Sequence, residues 1–149
     1  MKLAHTVKLS VFAYDTEDAA RVSAKIAALC PFDLKEENIE LKSTSALGFN
    51  ERKIKIFEII LAKEKHISKF LKNLKDKFSD DPRSLLANQS ESRLDSDLNF
   101  FIRLDKPRWL DEDRLWITDS GDCFHMRMTV AAFPANREAA LKVIKDWLK

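Results

Sequence analysis

Apolar and polar residues alternate along several stretches of this chain, and each such run predicts a strand with one side in a core. Val7, Leu9 and Val11 alternate with Lys8, Ser10 and Phe12. Ile39 and Leu41 predict a short second strand, and Ser43 to Asn50 reads as a polar loop holding Gly48. From Lys53 to Ala62 both sides are apolar: Ile54, Ile56 and Ile60 on one, Phe57, Ile59 and Leu61 on the other, as expected of a central strand. From Leu98 the pattern is cleanest. Leu98, Phe100, Ile102 and Leu104 fall on one side, Asn99, Phe101, Arg103 and Asp105 on the other. Leu115-Trp116-Ile117 and Cys123 to Val130 predict two further strands joined through Asp119-Ser120-Gly121-Asp122, which has hairpin-turn chemistry.

Helical spacing fills the gaps. Ala19, Val22, Ile26 and Leu29 form one stripe, with Asp15 or Thr16 as caps, Glu17 and Asp18 in the first turn and Pro31 as the stop. Ile67, Phe70, Leu71, Leu74 and Phe78 form a second. Ser79-Asp80-Asp81-Pro82 can open a short third helix through Leu86, and Asn88 to Asp97 is a polar connection. Asn136 caps a last helix with Ala140, Leu141, Ile144, Trp147 and Leu148 inward. The expected fold is therefore α+β: a mostly antiparallel sheet of about five to six strands, with three to four helices packed mainly on one face.

Composition narrows this picture. The chain has 149 residues, with ten Phe and three Trp, enough to fill one core, so residues 1–149 are expected to form a single domain. The net charge of +2 does not announce a nucleic-acid partner, but the charge is uneven. Residues 51–77 hold nine Lys or Arg against four acids, and residues 15–40 hold seven acids against three bases. Cys30 and Cys123 form neither a disulfide framework nor a metal spacing. Met1 to His5 carries no apolar signal region, and no apolar run is long enough to span a bilayer. The expectation is a cytoplasmic protein with both thiols reduced.

Catalytic and cofactor signals are weak. Gly48 and Gly121 stand alone, which excludes a phosphate-cradling loop. Cys123 and His125 share a strand side, yet no second pair completes a zinc set. His125 has no assignable nucleophile or orienting carboxylate. Asp80-Asp81, Asp111-Glu112-Asp113 and Asp119/Asp122 fall in turns, where Asp is favoured for local backbone bonding. No enzyme, metal or cofactor is expected. What remains is a set of cations interleaved with aromatics: Arg52, Lys53 and Lys55 before the Lys53 strand, Arg93, Arg103, Lys106 and Arg108 around the Leu98 strand with Phe101 and Trp109, and Arg127 beyond the turn. Cations contact phosphates and aromatic rings stack unpaired bases, so these ten residues are the candidate RNA contacts.

Arg93-Leu94-Asp95 followed by Phe101-Ile102-Arg103-Leu104-Asp105-Lys106 resembles the RLD…(Y/F)IRLDK stretch of archaeal proteins predicted to bind RNA, often described as predicted exosome subunits. Tyr14-Asp15-Thr16-Glu17-Asp18 resembles their first helix start, and Phe133-Pro134 with Arg137-Glu138-Ala139 their ending. The resemblance implies a fold like that of the ribosomal protein that contacts 5S rRNA, and a non-catalytic role in RNA binding or processing. It departs at Pro107, where the family has Gln, at Ser45 to Asn50, which replaces a Gly-rich, His-containing loop, and in lacking a Gly before Phe100. The rival expectation is an adaptor or structural subunit, a homodimer included, anchored on Trp109 or Trp116.

Overall fold

A computed structural model describes residues 2–149; Met1 lies outside them. In chain order the elements are β1 (Ala4–Tyr14), α1 (Ala19–Ala27), β2 (Lys42–Leu47), a 3₁₀ turn (Phe49–Glu51), β3 (Lys53–Leu61), α2 (Glu64–Lys77), α3 (Asp80–Asn88), α4 (Ser90–Arg93), β4 (Asn99–Asp105), α5 (Lys106–Glu112), β5 (Cys123–Val130) and α6 (Arg137–Trp147). The fold is α+β, with five strands and six α-helices among the described residues. The strands form one open antiparallel sheet in the order β2-β3-β1-β5-β4. No helix among the described residues is long and apolar enough to cross a membrane.

Contacts divide the chain into two compact units. The first comprises the chain up to Val7, Leu61–Ile102 and Met126–Lys149. Its core joins Ile67, Phe70, Leu71 and Leu74 of α2 with Leu86 of α3, Phe100 and Ile102 of β4, Met126, Met128 and Val130 of β5, and Ala140, Ile144 and Trp147 of α6. Trp147 Nε1 donates to the Leu71 carbonyl at 3.1 Å, so the buried indole leaves no orphan donor. Asn136 accepts from the Ala139 amide at 2.9 Å and opens α6 as expected. Arg137 then reaches back to the carbonyls of Leu94 and Glu91, tying α6 to the end of α4.

The second unit comprises Lys8–Ile60 and Arg103–His125. Leu9, Val11, Ala13, Phe57, Ile59, Leu104 and Phe124 bury one side of its strands; Val22 and Ile26 of α1, Trp109 of α5, and Leu115 and Ile117 complete the core. Asp18 caps α1 by accepting from the amides of Ala20 and Arg21, so the cap is Asp18 rather than Asp15 or Thr16. The helix also ends two residues earlier than its apolar stripe, at Ala27.

Several expected elements shift. No strand forms at Ile39 and Leu41; β2 occupies the expected loop instead. Every β2 side chain is exposed, so there is no burial alternation to read, and the strand exists by backbone pairing with β3, Leu47 opposite Lys53 through Lys42 opposite Glu58. Nor is β3 central: it lies second from the edge, and Ile60 is exposed. Leu98 is not part of β4. Its φ of 64° puts it in the left-handed region, which ends the extended run, and the strand begins at Asn99. Leu115 to Ile117 does not form a hairpin with β5. Ile117 bridges to Leu104 instead, on β4. Two helices were unforeseen. α4 interrupts the polar connection, and α5 starts directly after β4, where Asp105 accepts from the Arg108 amide at 3.1 Å and Pro107 sits in the first turn.

Candidate nucleic-acid interface

The clearest cluster of exposed cations lies in the second unit, where the end of β4, α5 and residues 113–118 meet. Leu104 is in the core, so its neighbours Arg103 and Asp105 project to the opposite side. The Leu104–Ile117 bridge is flanked by hydrogen bonds from the Asp105 amide to the Trp116 carbonyl (2.8 Å) and from the Thr118 amide to the Arg103 carbonyl (2.9 Å). Directly opposed residues share a side in an antiparallel pair. Trp116 therefore stands beside Asp105, and Thr118 beside Arg103, on the side away from the core. Leu115 and Ile117 are buried while Trp116 is 39% exposed.

Two guanidinium groups lie over the Trp116 ring, Arg108 at 4.3 Å and Arg114 at 4.8 Å from its centre. The chain brings them together because α5 is short. Asp113, in the left-handed region (φ 52°), closes the helix, and the Arg114 amide returns to the Arg108 carbonyl at 3.2 Å. Arg108 also faces the Asp105 carboxylate at 3.8 Å, a loose pairing. Arg103 donates to the Asp119 carbonyl at 2.7 Å, which fixes its guanidinium against the turn before β5. His125 is exposed on β5. Desolvation by its surroundings and, after that, the Arg103 charge hold its pKa below the ordinary imidazole value, with Asp122 opposing.

On the inner side of α5, Lys106 and Trp109 behave differently from expectation. Lys106 is 1% exposed. Its ammonium donates to the Phe12 carbonyl and Glu17 Oε1, both at 2.7 Å, pairs with Asp122 Oδ2 at 3.0 Å, and lies 5.1 Å from the centre of the Tyr14 ring. It is an internal cross-link between β1, the start of α1 and the turn before β5, not a group offered to a phosphate. Trp109 is 5% exposed. Its indole N–H donates to the Lys25 carbonyl at 2.8 Å and the Lys25 ammonium lies 4.5 Å from its ring centre. Lys25 in turn pairs with Asp113, and Arg21 with Asp111 and the Leu110 carbonyl, so α1 and α5 are bound along their length. A base cannot reach the Trp109 ring in this arrangement.

The other candidates fall in several places. Lys53 and Lys55 share a side of β3 with buried Phe57 and Ile59, so they point away from the side that carries Arg103. Arg52 is exposed just before β3, and its carbonyl accepts from the Gly48 amide at 2.7 Å. These three thus do not join Arg103 and Arg108. In the first unit, Arg93 donates twice to Gln89 Oε1 (3.1 and 2.8 Å) at the end of α4. Phe101, 40% exposed on β4, and Arg127 on β5 both project from the uncovered sides of their strands. Thr6, Thr129 and Asn99 form a hydrogen-bonded chain there (3.1 and 2.7 Å), linking β1, β5 and β4. The Asn99 backbone amide chiefly holds the Asp95 carboxyl below its usual pKa, opposed by partial burial and aided by the Asn99 side chain, the Asp97 amide and the Arg127 charge. Arg114 and Trp116 were not among the ten candidate contacts. The signal for Trp116 was its place between two apolar residues that face inward.

The thiols carry no visible chemistry. Burial pushes Cys30 up to about 12 and also raises Cys123, against the lowering influence of Arg103. Cys123 Sγ and His125 Nε2 are 3.4 Å apart, but no group of three or more His, Cys, Asp or Glu side chains among the described residues could hold a metal ion.

A family model described as RNA binding matches residues 6–130. Over 147 residues the chain is 29% identical to RNA-binding protein PAB1135 of Pyrococcus abyssi, covering 98% of this chain and 94% of that protein. It is similar in structure to protein AF2318 from Archaeoglobus fulgidus, at 25% identity and a TM-score of 0.84, covering 98% of this chain and 99% of that one. Mth689, a DUF54 protein from Methanothermobacter thermautotrophicus, follows at 25% identity and a TM-score of 0.78, with 99% of both chains covered.

Proposed function

The chain belongs to the RNA binding family, and from that premise we propose that it is a non-catalytic RNA-binding protein whose second unit engages RNA through Arg103, Arg108 and Arg114. The observation that carries this reading is the grouping of three guanidiniums at one end of β4, beside an exposed indole and on the side turned away from the core. Guanidinium groups suit phosphate because their planar donor fork matches two phosphate oxygens at once. The first unit, taken by itself, carries its own outward cation and ring, Arg127 on β5 and Phe101 on β4. Likeness of residues 93–106 to predicted exosome subunits supports a cytoplasmic role beside RNA processing or the ribosome. Exosome association can be checked by affinity purification from native extract, with and without ribonuclease.

The direct test is a binding titration against labelled RNA at several salt concentrations. Binding to phosphates releases counterions, so affinity falls as salt rises. Arg103→Gln should lower the steepness of that dependence by about one charge, and Arg103→Glu should weaken binding about tenfold across unrelated sequences. Wild-type protein that fails to saturate with any RNA at low salt rules the reading out.

A further inference from the structure

We propose that Trp116, with Arg108 and Arg114, is a stacking site for an unpaired nucleobase, so that the RNA engaged beside α5 is single-stranded. This deepens the RNA-binding reading and rests on it. Of the three tryptophans, Trp109 and Trp147 are buried with their N–H groups satisfied inside the protein, and Trp116 alone is exposed, with only the mobile side chains of Arg108 and Arg114 over its ring. Two like-charged guanidiniums held over one exposed ring repel each other. Among the described residues Arg114 makes no ion pair, and Arg108 has only the 3.8 Å approach to Asp105. The cluster therefore holds positive charge in excess of its carboxylates, around a flat apolar surface.

That combination fits one ligand chemistry well. A nucleobase can take the place of a guanidinium on the indole and offer it a π-face in exchange, while the phosphates on either side of the base offer anions to the guanidiniums so released. A duplex would offer only the phosphates, because its bases are already stacked on one another and an A-form major groove is too narrow to admit the ring. The indole would then add nothing to the cations. The strand geometry also keeps the ring in place: both hydrogen bonds flanking the Leu104–Ile117 bridge anchor its backbone to β4, so little conformational freedom is lost when a base arrives.

The experiment compares wild type, Trp116→Ala, Trp116→Phe and Arg103→Glu against a short unstructured RNA and a blunt RNA duplex of the same length, with circular dichroism to verify folding. Wild type should prefer the unstructured RNA, which should quench the tryptophan emission. Trp116→Ala should lose about tenfold in affinity for that RNA, and abolish the RNA-dependent quenching, while duplex affinity stays within about twofold. Trp116→Phe should retain most of the binding, since a smaller ring still stacks; it also decides the matter should the alanine variant fail to fold. Equal binding of the unstructured RNA by wild type and both Trp116 variants, with Arg103→Glu still weakened, overturns the stacking site and leaves the RNA-binding reading standing. Absence of any RNA binding by wild type overturns both.

Discussion

Trp109 and Trp116 are seven residues apart, lie in the same unit, and each has a cation over its ring, yet they are put to opposite uses. Trp109 is inside: its N–H is taken by the Lys25 carbonyl, its face by the Lys25 ammonium, and that ammonium by Asp113. The indole N–H, the ammonium and one oxygen of the carboxylate each have a partner within the protein. Trp116 is outside, with two guanidiniums against its ring and one loose carboxylate nearby. The same division separates Lys106, enclosed by Glu17, Asp122 and the Phe12 carbonyl, from its neighbour-but-one Arg108. An aromatic–cation pair closed by its own carboxylates is a fastening. One left in charge excess is a surface for a partner. The contrast yields a separable expectation, that inward substitutions change stability and outward ones change binding.

Lys106→Met should produce the largest effect. The methionine fills a similar volume but leaves the Glu17 and Asp122 carboxylates facing each other across an apolar stem, and the Phe12 carbonyl without its donor. Removing one partner of a buried ionic cluster costs about 3–5 kcal/mol. Glu17 and Asp122 retain some solvent access, at 25% and 38% of their side chains, so the lower end applies, about 3 kcal/mol. Urea unfolding followed by circular dichroism measures it. A Lys106→Met protein as stable as wild type but deficient in RNA binding would break the contrast, because Lys106 would then be acting outward.

Trp109→Phe sharpens the same point with a smaller expected loss. It keeps most of the buried ring and removes the donor to the Lys25 carbonyl, an effect of about 1–2 kcal/mol when a buried group loses its hydrogen bond. Trp116→Ala, at a partly exposed position, should stay within about 0.5–1 kcal/mol of wild type in the same urea series. Comparable losses at the two tryptophans would mean that Trp116 is as structural as Trp109.

The contrast also explains which parts of the molecule were legible beforehand. β1, β4 and β5 bury one side each, and a period of two is visible wherever one side is buried; the outward positions of Phe101, Arg103 and Arg127 follow from that alone. β2 buries neither side and was unreadable. α5 has one buried aromatic and one buried lysine, too little for an apolar stripe, and its only local sign was Asp105 followed by Pro107. In sequence Lys106 and Trp109 fall among interleaved cations and aromatics, which reads as an outward surface, and the rival reading, Trp109 packed under a helix, has no local sign to favour it. Their partners, Glu17 and Lys25, lie 89 and 84 positions away and meet them only through the fold. Lys53 and Lys55 carried a readable sign, their shared parity with Phe57 and Ile59, which outweighs the simple expectation that neighbouring cations gather on one surface.

The smallest expected effect concerns His125, on the outward side of β5. Its pKa in the folded chain is below the ordinary value of about 6.5, first through desolvation and then through the Arg103 charge. The neutral ring is thus favoured on folding. Any contribution of His125 to stability is fully present above about pH 6.5 and is lost as pH falls through the lower folded-state pKa, because the unfolded chain takes up the proton first. Arg103→Gln removes the second cause and leaves the first, so the pKa should move up toward 6.5 without reaching it. Titration of the His125 ring proton by NMR in both proteins measures the difference, and a downward movement, or none, in Arg103→Gln would contradict the proximity of the two side chains. The same titration run with RNA bound should give a higher pKa than without it, since phosphate at Arg103 adds negative charge that favours the protonated ring. An unchanged pKa on binding would place the RNA away from this end of β4 and leave the outward tryptophan without the phosphate neighbours that the contrast requires.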